Sequence, residues 1–251
     1  MSAITANTVL LTFLLFCRIG GCLMLMPGFA STRVPVQVRL LIAVAATLAL
    51  APLLLPVLSA ALPALPAPTV LALLVSETTL GALIGLMGRL FFLALQFMAS
   101  AAAMFVGFNA SAGVPLEDNE PVPAMTALVT LTATLLFFLT DQHWEVLRAL
   151  VASYMALPVS DALAADFTLA KLADALSSAF VLALQISSPF IIYALLINFM
   201  IGLANKFTPQ IPVYFIAVPF VLAGGFFILY LTIGDALRFF MLGFMGWLAR
   251  G

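Results

Sequence analysis

Three ionisable side chains, Arg18, Glu77 and Arg89, lie inside long apolar runs of the chain. A charge at the centre of a lipid-embedded helix costs about 2.5–3.5 kcal/mol on insertion scales, so such residues are held by protein, by one another or by water. Opposite sign makes Glu77 and Arg89 an inviting pair. On one helix they stand about 18 Å apart at 1.5 Å per residue, which forbids contact. Each therefore needs a partner on another helix, on another subunit or in water. Arg89 is the best placed of the three to snorkel along its own aliphatic stem, whereas Arg18 is expected to be buried against protein.

Other reactive side chains are sparse. Cys17 and Cys22 are the two cysteines, and on a helix they point about 140° apart, so they cannot chelate a metal together. His143 is the single histidine and has Trp144 beside it, a setting that fits a membrane interface better than a metal or a general base. No nucleophile with a neighbouring base, phosphate loop or paired carboxylates can be read. The residues point away from an enzyme and imply no cofactor.

The elements that must carry these residues follow from composition. The 251 residues are 65% hydrophobic and 8% charged, with a mean hydropathy of +1.26, against about 25% charged in ordinary globular proteins. The expected class is an all-α membrane protein. A formal net charge of −1 provides no basic surface for nucleic acid. The opening stretch, MSAITANTVLLTFLLFC, lacks the Lys/Arg of a signal-peptide n-region and is expected to belong to the mature protein.

Apolar runs cover Val9–Met26, Val38–Leu62, Val70–Met98, Ala124–Leu139, Phe180–Leu203 and Val213–Leu248. Runs of about 20 residues suffice to cross a hydrocarbon core. Pro27 and Gly28 stop the first, and PALPAP (63–68) separates the second from the third. The last run is long enough for two shorter helices or one bent one, with Gly224 and Gly225 as the break, and Pro189 within SSPF marks a kink in the run before. The segment TDQHWEVLRALVASYMALP reads as an amphipathic helix lying at an interface or on a partner, with Trp144, Leu147, Val151 and Tyr154 on its apolar face. Beside Glu77 and Arg89, GALIGLMG spaces Gly81, Gly85 and Gly88 so that a second helix can approach closely. Six plain spans would place the acidic loop on the same side as Arg33, Arg39 and Lys206. The positive-inside rule resists that topology.

One stretch departs from all of this. FVGFNASAGVPLEDNEPVPAM, residues 105–125, brings together Gly107, Asn109, Gly113, three prolines and the acids Glu117, Asp118 and Glu120. Its composition suits an exposed connector with solvated acids. Such backbone is also tolerated at membrane depth where it lines a cavity or is buried in protein.

Three further stretches carry a resemblance. CRIGGCLMLMPGFASTRVPVQVRLLIAVAATLALAP (17–52) resembles the opening signature of the FliR family, with Arg18-Ile-Gly, then Met-Pro27-Gly28, then Val-Pro35 and Arg39 before a second helix. GLANKFTPQIPVYFIAVPF (202–220) is similar to its other hallmark, a helix closing on Asn205-Lys206, then Pro209-Gln210 and, after an apolar run, Pro219. NEPVPAMTALVTLTATLLFFLTDQHW resembles the central segment, with a proline after the polar loop and a His-Trp pair closing the helix. Order, spacing and length agree over nearly the whole chain.

The resemblance implies a core subunit of the type III secretion export gate at the base of the bacterial flagellum, or its injectisome counterpart. One such chain is expected to join FliP-like and FliQ-like subunits in a hetero-oligomeric helical assembly, with an FlhB-like protein associated and unfolded export substrates passing through the centre. The implied fold is a set of hydrophobic helical hairpins resembling a FliP–FliQ fusion. It forms one export-gate domain, divided into N-terminal helices (1–104), a luminal plug loop (105–123) and C-terminal hairpins (124–251). The implied location is the bacterial inner membrane, with much of the assembly above the membrane plane. The plug residues are expected to be Phe105, Gly107, Phe108, Asn109, Ser111, Gly113 and Pro115, and Arg18, Glu77 and Arg89 to be buried against protein or neighbouring subunits. The alternative from a different class is a small-molecule secondary transporter built on Glu77 and Arg89.

Overall fold

A computed structural model describes residues 6–31, 34–62, 67–107, 122–159, 165–210 and 213–249. The described residues form seven helices and no strand: α1 (Ala6–Leu25), α2 (Val36–Ala61), α3 (Ala67–Val106), α4 (Ala124–Leu139), α5 (Gln142–Ala156), α6 (Ala165–Phe207) and α7 (Val213–Leu248). Helices α1, α2, α3, α6 and α7 are each long and apolar enough to cross a membrane, and α4 with α5, bent by 69° at their junction, make a possible sixth span. The molecule is an all-α membrane protein. The chain clusters into two compact units.

The first unit comprises residues 1–90, 140–176 and 245–251. Helix α1 ends where Pro27 follows it, and Gly28 takes a left-handed φ of 84° that turns the chain back. Arg39, one turn into α2, closes this corner by donating from Nε to the Val34 carbonyl at 2.9 Å and from Nη1 to the Ala30 carbonyl at 3.2 Å. A short connection makes antiparallel neighbours of α1 and α2. Their seam is periodic: Leu11, Leu15, Ile19 and Leu23 of α1 meet Ala43, Ala51, Leu54 and Leu58 of α2, all buried. Pro52 and Pro56 lie inside α2 without ending it.

The second unit comprises residues 91–139 and 177–244. Phe92 stands at the centre of an aromatic cluster, edge-on to Phe240 at 5.0 Å, Phe244 at 5.9 Å and Phe137 at 6.1 Å between centroids, the geometry that ring quadrupoles favour. Above it, Ala102, Ala103, Val106, Met125 and Phe190 form a second buried cluster. Helices α6 and α7 run antiparallel, with Tyr193 donating to the Val221 carbonyl at 2.8 Å and Leu182 packed on Gly243.

Several boundaries differ from those read in the sequence. Helix α3 continues past Met98 to Val106, and α6 begins at Ala165, well before Phe180. Gly224 and Gly225 do not break α7: they admit the Tyr193 ring and the Val106 side chain, so they serve packing within one continuous helix. Pro189 lies inside α6 without ending it. On α5 the inward face is Gln142, Val146, Leu150 and Tyr154, while Trp144 is 57% exposed. Tyr154, which lies over Arg18, belongs to both stripes, but the buried one is rotated from the one that hydrophobicity alone suggests.

Candidate functional site

Arg18 of α1 and Glu77 of α3 are both fully buried and face each other. The guanidinium Nε donates to Glu77 Oε2 and Nη2 to Oε1, each at 2.7 Å. This is the parallel two-bond fork that makes arginine–carboxylate pairs strong. The remaining donors go to the end of α5. Nη1 reaches the Ser153 carbonyl at 3.1 Å and its hydroxyl at 3.3 Å, and Nη2 reaches the Leu157 carbonyl at 3.2 Å. All five guanidinium N–H directions thus have an acceptor. The Ser153 carbonyl also accepts the Leu157 N–H at 2.9 Å, and the partial negative charge at a helix C-terminus favours a cation there. The Tyr154 ring completes the enclosure, 4.0 Å from the guanidinium carbon.

Small residues bring α1 and α3 close enough for this. A Cβ added to Gly81 would meet the Arg18 backbone carbonyl, one on Gly85 the Cys22 carbonyl, and one on Gly88 the Met26 thioether at 2.6 Å. Across the contact, Gly21 lies 2.8 Å from the Thr78 carbonyl by the same measure. From Arg18–Gly81 through Cys22–Gly85 to Met26–Gly88 the residue numbers rise on both helices, about one turn at a time, so α1 and α3 run parallel here. The partner of Glu77 is therefore on another helix of the same chain.

Arg89, one turn beyond Gly85 on α3, is half-buried. Of the plug residues expected from the family resemblance, Phe105 belongs to the last turn of α3 and is 45% exposed, and Gly107 turns the chain with a φ of 87°. Phe108, Asn109, Ser111, Gly113 and Pro115, with the acids Glu117, Asp118 and Glu120, lie outside the described residues. Pro27 is buried under the first corner and Pro35 precedes α2. At the far end of the α6–α7 hairpin, Asn205, Lys206, Pro209 and Gln210 are all exposed, as is Pro219 inside α7.

Two charged residues escape a reading of the sequence that stops at three. Asp235 and Arg238 lie inside α7, on its exposed side. The signal was present, since both interrupt the Val213–Leu248 run, but a long helix with many aromatics hides an i, i+3 pair from an averaged hydropathy. No group of three or more His, Cys, Asp or Glu side chains that could hold a metal occurs among the described residues. A cavity in the second unit, of about 30 Å³, is lined by Leu95, Met98, Phe190 and other apolar side chains. Ser187 and Thr232 at its wall bond carbonyls of their own helices, so nothing polar points into it.

The model of the family described as "Bacterial export proteins, family 1" matches residues 9–245. The flagellar biosynthetic protein FliR of Caulobacter vibrioides is 27% identical over 235 residues, covering 91% of this chain and 90% of that one. Its namesake in Aquifex aeolicus is 26% identical, covering 93% and 89%, and that of Escherichia coli 24%, covering 79% and 75%. A match spanning both units, from the first turn of α1 to the last of α7, places the chain in the bacterial export proteins, family 1.

Proposed function

We propose that this chain is a component of the flagellar export apparatus and, more specifically, a core subunit of its export gate in the bacterial inner membrane. One copy assembles with FliP-like and FliQ-like subunits, beside an FlhB-like protein, into a gated channel that passes unfolded flagellar proteins. The observation that carries this reading is the family match over residues 9–245, with the FliR of Caulobacter vibrioides aligned over 90% of its length. Two physical features support it. The α6–α7 hairpin leaves Phe199, Phe207, Phe215, Phe220 and Tyr230 each more than half exposed, an amount of apolar surface that requires lipid or further protein. Helix α6 is about 65 Å long at 1.5 Å per residue, twice the thickness of a hydrocarbon core of about 30 Å.

The segment from Phe105 to Pro115 acts as a luminal plug on this reading, leaving α3 through the left-handed turn at Gly107. A secondary transporter centred on Glu77 and Arg89 finds no support here. Both oxygens of Glu77 are occupied by Arg18, and α3 holds the two side chains about 18 Å apart. Native mass spectrometry of the chain co-expressed with its own FliP-like and FliQ-like partners tests the proposal. The expected result is a discrete complex with one copy of this chain among several of each partner. Recovery of the chain alone, or as a homodimer, would overturn it.

A further inference from the structure

Asp235 and Arg238 sit where neither lipid nor this chain accounts for them. Helix α7 is apolar on both sides of the pair: FVLAGGFFILYLTIG precedes Asp235, and FFMLGFMGWL follows Arg238. Both are exposed, and neither side chain makes a hydrogen bond or an ion pair with any described residue. Being three residues apart, they lie about 60° from each other around the helix and about 4.5 Å apart along it. Their neighbours on that side, Phe227, Leu231, Phe239 and Leu242, are all more than half exposed. Arginine can reach toward a distant interface along its aliphatic stem. Aspartate, with one methylene, cannot. Gly234 adds a flat spot beside them, about 40° around the helix from Arg238, where a Cβ would meet nothing within 4 Å, and small residues are where membrane helices approach closely.

We propose, resting on the export-gate reading, that this face of α7 is a docking seam for a membrane helix of a different subunit. That helix carries a basic residue opposite Asp235 and an acidic residue, about one turn away, opposite Arg238. Charge complementarity selects such a partner over lipid, where the two unpaired charges would each be penalised. A second copy of this chain is the poorer fit. Two copies inserted the same way bring Asp235 level with Asp235 and Arg238 level with Arg238, and like charges in register repel.

The test uses the full chain co-expressed with its FliP-like and FliQ-like subunits. Gly234→Cys is cross-linked in the membrane with a short bifunctional reagent, and the partner peptide is identified by mass spectrometry. Asp235→Lys and Arg238→Glu are then each expected to lower incorporation into the complex by about tenfold or more. Reversing the charge of the cross-linked partner residue is expected to restore it. Because both side chains are exposed, the variants should melt with the parent chain when purified alone, which separates docking from folding. If the wild-type complex forms but Asp235→Ala combined with Arg238→Ala enters it equally well, the seam is overturned while the gate reading stands. A cross-link to a second copy of the chain would also overturn it. If no wild-type complex forms, the gate reading fails first and the seam with it.

Discussion

The Arg18 guanidinium is held by three helices at once, the carboxylate on α3 and the last turn of α5 closing over a side chain that starts on α1. Such a group is all or nothing. Removing Glu77 leaves a fully desolvated cation, and breaking a buried pair in this way typically costs about 3–5 kcal/mol. Glu77→Ala and Arg18→Ala should therefore each lower the unfolding midpoint of the purified chain in mild detergent by a large amount. Their combination should cost far less than the sum, because neither charge is then left alone. Arg18→Lys should resemble the alanine variant, since an ammonium cannot hold two carboxylate oxygens and two carbonyls together. A double-mutant cycle from thermal unfolding reads the coupling directly, and additive losses would show that the two charges do not act as a unit.

At the scale of helices, the α1–α3 contact depends on the absence of side chains. The carbonyls of Arg18 and Cys22 occupy the space that a Cβ on Gly81 or Gly85 would need, and a backbone carbonyl cannot rotate aside as a side chain can. Gly81→Ala and Gly85→Ala should push the helices apart and weaken the Arg18–Glu77 fork. Gly88→Ala meets only the flexible Met26 thioether and should be milder. Gly202→Ala, where nothing lies within 4 Å, should be neutral or stabilising by up to about 1 kcal/mol through helix propensity. Unfolding midpoints of the four variants give the order, and a Gly81 variant as mild as the Gly202 one would refute the close approach. This contact was half legible in the sequence. The four-residue glycine spacing announced a helix neighbour, and the apolar runs announced each long helix. The neighbour's identity was not legible, because Arg18 and Glu77 are 59 residues apart and a partner across that separation leaves no local pattern. Helix ends were misread for a related reason. Lys171 and Asp174 stop a hydropathy run but not α6, since a helix tolerates charges that a bilayer does not. The face of α5 was half read: Tyr154 is buried over Arg18 as its spacing suggested, but the stripe continues through Leu150, Val146 and Gln142 and leaves Trp144 outside.

At the scale of the whole molecule, the described residues pair their fully buried charges and leave apolar and charged side chains exposed. Arg18 and Glu77 are matched within one unit, while Asp235, Arg238 and the aromatic faces of α6 and α7 are turned outward. A protein of this kind reaches its working state by association, and its apparent stability depends on its partners. The plug proposal belongs to that assembled state and should be invisible outside it. Deleting residues 109–115 removes the Asn-, Ser- and Gly-bearing part of the loop but leaves α3, the Gly107 turn and α4 in place. The isolated chain should then melt as before, and vesicles containing it alone should show unchanged ion flux. In cells overproducing the full set of gate subunits, the same deletion should raise ion leakage, measured as loss of membrane potential or as single-channel conductance in planar bilayers. The conservative control replaces Phe105 and Phe108 by leucine, keeping apolar bulk, and should remain tight. Equal conductance of the deleted and intact assemblies would mean that residues 109–115 are a solvated connector, and the barrier to ions would have to be sought in the apolar walls of the helices themselves.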